Sequence, residues 1–455
     1  MKKLLALVVS VCLCLTAVSA LAETVLRLGI YPEDVDVDTV KVHETVFDPA
    51  FAEAMPDVTL EKIYYKYAVD TFVPMAEAGN VPTIFQTWFT EPQKLIANGF
   101  VRDITGQLEA RGWLEKMAPG VRGLMSDADG RVYGIPRDAY ALGLMINAEV
   151  FEDAGLVDED GIPLYPKTWD ELVEVGLKIK EATGSAALCL LAMDNAGGWH
   201  FSNIAWTFGA NLEVQDENGK WLANLNSPEV VAAMQYVRDL KWKYDLLTSD
   251  PVSENWGTGF AQLGTGAAAM YIAANDAVNQ PTSVQGLPVD KLMMVAIPAG
   301  PAGTFALGGG TPYMFAANAT DEEVEAALKY IEIMGKAPVV TETSKQGLID
   351  DAKYRVESGI PVIRRFSGWI DPDFIQAELD VIAEYANVDP RMFDHYFDTA
   401  AATLRLEEPM MTQDMYAELT KVLQEVLTNE GADIQALLDT ANANLQAVLD
   451  ENVNR

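Results

Sequence analysis

The sequence predicts an α/β fold built from two lobes. Strand-like and helix-like segments alternate in its N-terminal part, and 455 residues exceed what one hydrophobic core usually serves. Residues 25–30 alternate in polarity as a strand does. Residues 59–65 and 83–86 are predicted as further strands, separated by helices over residues 47–55 and up to Glu77. Such β-α-β units favour a largely parallel sheet.

Acidic and aromatic residues follow the predicted strands directly. In a parallel α/β sheet, ligands bind beyond the carboxyl ends of the strands. Glu33 and Asp34 come after the first strand, and Trp88 comes after the third. We therefore expect these three residues at a ligand-binding edge.

The most informative segment begins at Asp129 and reads DGRVYGIPRDAYALGLMINAEVFEDAGL, followed shortly by YPKTWDEL. Two short strands, residues 131–135 and 142–146, are predicted on either side of a bend at Pro136, because proline restricts its own backbone and that of its neighbour. Arg137, Asp138 and Tyr140 would lie on that bend. A cation, a carboxylate and an aromatic ring in one loop indicate a ligand contact.

Three helix starts carry clear capping signals. Thr168 with Glu171 and Thr320 with Glu323 have the spacing of a capping box, and Ser227 precedes a proline at the first helical position. The helix after Thr320 is predicted to stop at Gly335. These signals predict packing and no chemistry.

Two glycine-rich segments precede predicted strands. GTGFAQLGTGAAAMYIAA, from Gly257, predicts a helix and then a strand that ends at Asn275 and Asp276. It lacks the Lys-Ser or Lys-Thr of a phosphate-binding loop. LGGGT, residues 307–311, fits an ordinary loop or a hinge equally well. Beyond Asp371 the sequence predicts mainly helices.

The charge balance excludes two classes of partner. The chain has 32 basic and 67 acidic side chains, a formal net charge of -35. Such a surface repels nucleic-acid phosphates and anionic lipids, so neither nucleic acid nor direct membrane docking is expected. Apolar residues make up 49% of the chain, which suffices for packed cores.

The first residues predict a cleavable signal peptide, residues 1–22. Lys2 and Lys3 precede an apolar run, and Ala20-Leu21-Ala22 has the small-x-small pattern of a cleavage site. The run is shorter than the about 20 residues that a membrane span needs. Neither leader cysteine follows the run expected before a lipidated cysteine, so we expect a periplasmic protein that is not lipid-anchored. Cys189 is then the one remaining cysteine, and it is expected to be buried.

Common catalytic motifs are absent from the sequence. It contains three histidines, no HExxH, no paired cysteines and no GxSxG elbow. We therefore predict a protein that is not an enzyme and that needs no metal and no cofactor. Paired carboxylates, as in a glycosidase, stay open as an alternative because acidic residues are so numerous.

The segment from Asp129 together with KTWDEL resembles the signature region of family 1 extracellular solute-binding proteins, the sugar receptors of ABC importers, typified by maltose-binding proteins. The similarity extends through GNVPTIFQTWFTEPQKLIANGFVRDIT, LNSPEVVAAMQYVRDL, AAAMYIAA and the C-terminal NLQAVLDE. These motifs follow the order of the family and span most of the chain.

The resemblance implies a periplasmic binding protein fold, with two discontinuous lobes joined by hinge strands around a central cleft. Lobe one would hold residues 23–138 and 305–359, and lobe two residues 139–303 and 360–455. The protein would be a monomer that binds a carbohydrate and delivers it to the permease subunits of an ABC transporter. The implied crossings lie near residues 137–143, 305–311 and 359–362.

The resemblance also suggests which residues contact ligand. Trp88 and Asp138 are at positions where relatives commonly touch ligand, whereas Asn275 and Asp276 replace a Gly-x-Trp that is frequent in the family. A stacking residue in lobe two would then come from elsewhere. Gly310 and Tyr313 lie near the second crossing. The full set of expected ligand-binding residues is Glu33, Asp34, Trp88, Arg137, Asp138, Trp199, Trp256, Asn275, Asp276, Gly310, Tyr313 and Trp369.

Two alternatives remain at this stage. The same fold could bind a peptide, a polyamine or another small solute, since the acidic residues at the predicted rim favour a cationic or polyhydroxyl ligand over an anionic one. A secreted polysaccharide-acting enzyme is the less favoured alternative.

Overall fold

The computed structural model describes residues 24–35 and 37–454. The predicted signal peptide, residues 1–22, lies outside the described residues. Within them, no helix is both long and apolar enough to cross a membrane. The chain divides into two compact units: the first holds the described residues up to Gln86 together with Phe315–Ala337, and the second holds Thr87–Met314 and the described residues from Pro338 onward.

Helices outnumber strands among the described residues. In chain order the strands are β1 Thr24–Leu28, β2 Val58–Lys62, β3 Ile84–Gln86, β4 Gly134–Asn147, β5 Ala186–Cys189, β6 Glu213–Gln215, β7 Trp221–Ala223, β8 Ala268–Ala274, β9 Leu292–Val295, β10 Ala306–Phe315 and β11 Leu404–Leu406. The helices are α1 Val37–Val42, α2 Asp48–Ala54, α3 Val69–Glu77, α4 Pro92–Ala97, α5 Thr105–Arg111, α6 Pro119–Leu124, α7 Ala148–Asp153, α8 Trp169–Thr183, α9 Ala196–Thr207, α10 Pro228–Trp242, α11 Trp256–Gly264, α12 Asp321–Ile333, α13 Glu342–Glu357, α14 Pro372–Tyr385, α15 Asp394–Thr403, α16 Thr412–Thr428 and α17 Ile434–Asn452.

The first unit is a parallel sheet held by a polar hub. The strand β1 pairs in parallel with both β2 and β3, as the alternating N-terminal sequence predicts. Both carboxylate oxygens of Asp48 accept hydrogen bonds, from the hydroxyls of Tyr330 at 2.7 Å and Tyr31 at 3.1 Å. Lys62 lies 2.7 Å from the same carboxylate. These contacts join α2, α12 and the end of β2.

The second unit is organised around β4. This strand pairs antiparallel with β10 through its first half and with β8 and β9 through its second half. The strand β5 extends the sheet in parallel with β8, and β11 pairs in parallel with β10. All seven residues of β8 are buried, and Cys189 in β5 is buried as well.

The predicted bend at Pro136 is wrong, because β4 is one continuous strand. Arg137, Asp138 and Tyr140 therefore lie in the middle of a strand. Pro136 is opposite Pro312, where the register with β10 shifts. Neither proline has an N–H group, so the ladder loses its bonds on both strands at one place, and the bulge there lets pairing continue. The register shift depends on the partner strand and is invisible in the local sequence.

The glycine run is part of β10 and forms neither a loop nor a turn. A Cβ atom on Gly309 would lie 2.3 Å from the Tyr140 hydroxyl oxygen, and one on Gly310 would lie 2.5 Å from the Asp138 carbonyl oxygen and 2.6 Å from the Phe89 ring. The missing side chains let the backbone of β10 approach these groups. Close packing therefore explains the glycines.

The predicted helix starts are largely confirmed. Thr320 and Glu323 form the full capping box of α12, and Ser227 caps α10 before a proline. Thr168 caps α8 through the Glu171 amide, but the Glu171 carboxylate accepts from the amide of Lys167, one residue before the expected position. The mainly helical C-terminal part is confirmed as well, with β11 as a short strand that the sequence did not indicate.

The division by packing differs from the lobe boundaries that the resemblance implies. Residues 87–138, expected in lobe one, pack with the second unit. Packing density and rotation about a hinge are different criteria, and the lobe boundaries stay a prediction.

Replacing Gly310 with alanine is expected to destabilise the second unit, since the new methyl group meets the Asp138 backbone carbonyl and cannot be accommodated by a side-chain rotation. Overpacking of this kind costs about 1–3 kcal/mol. Urea unfolding followed by circular dichroism measures the change. The matched control is Gly347→Ala in α13, where no atom lies within 4 Å of the new methyl group, and where alanine adds about 0.5–1 kcal/mol of stability. An unchanged midpoint for Gly310→Ala would mean that the run behaves as a flexible loop.

Candidate functional site

The pairing of β4 with β10 positions the first members of the site. The two carboxylate oxygens of Asp138 have different partners: Oδ1 accepts from the Thr311 amide at 3.0 Å, and Oδ2 lies 2.8 Å from Nε of Arg137. Both side chains remain partly exposed. The carboxylate is thus held between a backbone donor of β10 and a neighbouring cation, with its outer surface open to a ligand.

Tyr140 lies at the centre of the same strand pair. Its hydroxyl end covers Gly309, the residue opposite it in β10. Its ring meets that of Trp199 edge to face, with 6.3 Å between centroids. Burial raises the pKa of Tyr140 well above its ordinary value, and the negative charges of Glu407, Asp276 and Asp138 raise it further. Carboxylates from three separate segments therefore act on one phenol.

Asp276 follows the carboxyl end of β8, where the sequence placed it. Desolvation, and then the charge of Asp138, raise its pKa to about 6, while Arg137 acts in the opposite direction. The side chain is nevertheless exposed to solvent. A concave surface explains both the raised pKa and the exposure, because protein atoms surround the carboxylate while one side stays open to solvent.

We call Arg137, Asp138, Tyr140, Asp276 and Glu407 the polar cluster. Burial lowers the pKa of Arg137, but the charges of Asp138 and Asp276 act in the opposite direction, so the pKa is raised overall. Desolvation raises the pKa of Glu407 to about 7, although the Tyr416 hydroxyl donates to it at 2.8 Å. Asp138 and Asp276 act on the Arg137 guanidinium and Glu407 acts on Tyr140, so carboxylates outnumber cations and the cluster attracts donors and cations.

Three other predicted residues lie beside this cluster. Tyr313 is buried in β10, and the charges of Arg137 and Asp138 act on its hydroxyl. Gly310 accepts through its carbonyl from the Phe89 amide at 3.1 Å. Trp88 precedes that phenylalanine in the chain, and 43% of its surface is exposed.

Asn275 is buried, unlike Asp276 next to it. Its side-chain oxygen accepts from the Ala141 amide at 3.2 Å and from the Tyr396 hydroxyl at 3.0 Å. The same hydroxyl donates to the Ala141 carbonyl at 2.6 Å. Asn275 therefore joins the end of β8 to β4 and α15, which supports the strand that carries the polar cluster.

The remaining predicted residues do not join the polar cluster. Trp369 is buried against Trp113, with ring centroids 6.2 Å apart. Trp256 is exposed at the start of α11 and packs on Phe260. Glu33 and Asp34 are exposed residues of the first unit.

Glu407 is the member of the cluster that the sequence analysis missed. The register of β11 with β10 pairs Leu406 with Gly308, so Glu407 comes directly after the strand and beside Gly309. A residue beyond the carboxyl end of a parallel strand is a standard candidate for ligand contact. The signal was hidden because a three-residue strand among helices has no visible periodicity.

A separate cavity lies between α13 and α14, away from the polar cluster. Its charged lining is already paired: Asp351 with Arg355 at 2.9 Å and with Arg365, and Glu378 with Arg365 at 3.7 Å. No polar cluster residue lines it. Within residues 24–35 and 37–454, no group of three or more His, Cys, Asp or Glu side chains has the arrangement of a metal site.

Comparison with known proteins agrees with the geometry. The family model described as bacterial extracellular solute-binding protein matches residues 44–339, well over half of the chain. The chain belongs to this family. Its strand β4, its helix α8 and most of its polar cluster lie within the matched region.

Two relatives of the chain have names that state a ligand. The lactose-binding protein of Rhizobium radiobacter is 31% identical over 83 residues, which are 16% of this chain and 19% of the relative. The arabinooligosaccharide-binding protein of Halalkalibacterium halodurans is 25% identical over 218 residues, 46% of this chain and 45% of the relative. The chain thus spans less than half the length of either relative.

The fold is shared with solved solute-binding proteins. An ABC transporter solute-binding protein from Thermotoga lettingae, bound with α-D-tagatose, superposes with a TM-score of 0.70 over 91% of this chain and 96% of its own, at 17% identity. The predicted α/β fold of the two-lobed binding proteins is thereby confirmed.

Asn275→Ala and Asp276→Asn are expected to have opposite effects on stability. The first leaves the buried Ala141 amide without its acceptor, at a cost of about 1–3 kcal/mol. The second removes a carboxylate whose folded pKa, about 6, is above its ordinary value of 3.8. The stability from such a group is present below pH 3.8 and is lost as pH rises through about 6, so Asp276→Asn gains stability relative to the parent protein over that range. Thermal unfolding at pH 4 and pH 8 measures both. Equal losses in the two variants would contradict the assignment of Asn275 to the scaffold and Asp276 to the surface.

Proposed function

We propose that the chain is the extracytoplasmic solute-binding protein of an ABC importer and that it captures a carbohydrate. The observation that carries the proposal is the polar cluster: paired acceptors and one guanidinium around an aromatic ring, on a chain of the solute-binding family. No covalent bond is made or broken in this function, and the protein needs no cofactor.

The chemistry of a sugar matches the groups in the cluster. Sugar rings present C–H faces that pack on aromatic rings. Their hydroxyls donate hydrogen bonds to carboxylates and accept them from guanidinium groups, and both of these groups can bond in a bidentate manner. Tyr140 and Trp199 supply the rings, while Asp138, Asp276 and Arg137 supply acceptors and donors. The names of both relatives state a saccharide ligand, and the Thermotoga protein is bound with a monosaccharide.

Capture is proposed to proceed by closure of two lobes about hinge strands. Ligand shifts such an equilibrium only if it binds the closed form more tightly than the open form. Glu33 and Asp34 are proposed as further contacts, from lobe one. Trp88, Trp256, Asn275, Gly310, Tyr313 and Trp369 complete the proposed set, although the burial of Asn275 and Trp369 favours support over contact.

The location and partners follow from the same proposal. A cleavable signal peptide over residues 1–22 would deliver the chain to the periplasm without a lipid anchor. There it would act as a monomer and pass its ligand to the permease subunits of the transporter.

A cationic solute, such as a polyamine, is the second candidate ligand. The specific observation in its favour is the excess of carboxylates over guanidinium groups in the polar cluster. An ammonium group between Asp138 and Asp276 would replace the missing positive charge, and the Tyr140 ring would stabilise it further.

Calorimetry against a panel of mono- and oligosaccharides tests the main proposal, and Tyr140→Ala is expected to weaken the binding of any sugar found by at least about tenfold, since the sugar loses its aromatic contact. The control is Tyr354→Ala, which removes an exposed tyrosine of α13 and should leave affinity unchanged. Binding of no sugar, or equal affinity in both variants, would count against a carbohydrate ligand.

Spermidine and the best sugar of the panel, titrated at low and high salt, separate the two candidates. A cationic ligand would lose affinity steeply with added salt, and more steeply than a neutral sugar. Asp138→Asn would then abolish spermidine binding while reducing sugar binding moderately. Release of reducing sugars from a polysaccharide would instead support an enzyme.

A further inference from the structure

Two buried carboxylates lie behind the polar cluster and outside the proposed function. Glu213 begins β6 and Glu408 follows β11, with 7% and 5% of their surfaces exposed. Each has one oxygen without a hydrogen-bond partner among the described residues, Oε1 of Glu213 and Oε2 of Glu408. A buried carboxylate oxygen without a donor is costly, and here two occur in one region.

The other oxygen of Glu408 accepts three hydrogen bonds, and the other oxygen of Glu213 accepts one. Glu408 Oε1 accepts from the Trp206 indole at 3.0 Å, from Arg405 at 3.1 Å and from the Leu212 amide at 3.4 Å. Glu213 Oε2 accepts from the Met410 amide alone, at 3.2 Å. Burial raises the pKa of Glu408, but its three donors act in the opposite direction and stabilise a charge there, whereas Glu213 has one donor to hold a charge.

The charged groups around Glu213 and Glu408 also favour a negative charge on Glu408. Arg405, 4.4 Å from the Trp206 ring centroid, is the one cation among the described groups that act on either acid. Other N–H groups of Arg405 donate to the Ala210 carbonyl and to the Asn211 side-chain oxygen. The charge of Glu408 acts on Glu213, and it also acts on Glu407 and Tyr416. One cation neutralises one of two acids.

We propose that Glu213 carries a proton that it shares with Glu408, and that this acid pair positions the segment Arg405–Met411, which presents Glu407 to the polar cluster. The proton gives Glu213 the O–H donor that Glu408 Oε2 lacks. Its loss leaves two buried anions against a single guanidinium.

The segment that the pair holds is under strain. Met411 has φ +45°, a left-handed conformation that a residue with a side chain rarely adopts. Its neighbour Met410 donates to Glu213, and Thr412 donates to the Glu408 carbonyl. Release of either acid frees the chain that lies between β11 and α16.

The pH range follows from the physical state of Glu213. Burial, and then the charge of Glu408, raise its pKa from 4.5 to about 8. A raised folded pKa contributes stability that is present below pH 4.5 and is lost as pH rises through about 8. At neutral pH the pair is therefore intact, and above about pH 8 the segment is released. The consequence for ligand binding rests on the function proposed above, whereas the shared proton does not.

Two isosteric variants test the proposal without any ligand. Glu213→Gln keeps a neutral donor. The difference between its melting temperature and that of the parent protein should therefore increase by about 2–4 °C from pH 5 to pH 9. Glu408→Gln leaves Arg405 without its carboxylate and should lower the melting temperature at both pH values. Equal effects of the two substitutions, or the same pH dependence in Glu213→Gln as in the parent, would overturn the shared proton.

Hydrogen exchange and carbon NMR supply readouts that a structural role alone would not change. The Met410 amide should lose protection above pH 8 in the parent protein, after correction for intrinsic exchange, and should keep it in Glu213→Gln. A ¹³C-carboxyl titration should show one glutamate with an apparent pKa near 8 that is missing from that variant. Protection that is independent of pH would refute the release of the segment, even if sugar binding were confirmed.

Discussion

The second unit depends on the antiparallel pairing of β4 with β10. Through this pairing the Thr311 amide reaches Asp138, and the run of glycines accepts the ends of Tyr140 and Phe89. A side chain at Gly309 or Gly310 would occupy the space that these groups fill. The site is therefore built on strand backbones, which hold their side chains more rigidly than a loop does.

The same pairing brings distant segments to one place. The strand β4 carries Arg137, Asp138 and Tyr140, Asp276 follows β8, and Glu407 follows β11, which pairs with β10. The strand β4 contributes three polar groups and the other two strands are each followed by one, so no segment carries the site alone. A cluster assembled in this way has an excess of negative charge that local sequence cannot reveal, because its three segments are more than a hundred residues apart.

What the sequence predicts correctly is local. Alternation identified β1 and its parallel partners, and capping residues identified the starts of α10 and α12, because those signals depend on neighbours in the chain. Pro136 was misinterpreted as a bend, since the bulge that accommodates it lies in the register with Pro312. Asn275 and Asp276 look equivalent in sequence, yet Asn275 is buried and hydrogen-bonded to β4, whereas Asp276 is exposed. Only the partner across the sheet distinguishes them.

Support behind a site can matter as much as the groups that face the ligand. The charge of Glu407 acts on Tyr140, and the next residue, Glu408, is anchored by Trp206, Arg405 and Leu212. Those three donors stabilise an ionised Glu408 in the interior, and Glu213, which has one donor, is the residue that carries the proton. A chain with such an excess of acids has few cations to neutralise buried carboxylates. Protonation is the remaining way to keep both acids in the core, and it makes the placement of Glu407 sensitive to pH.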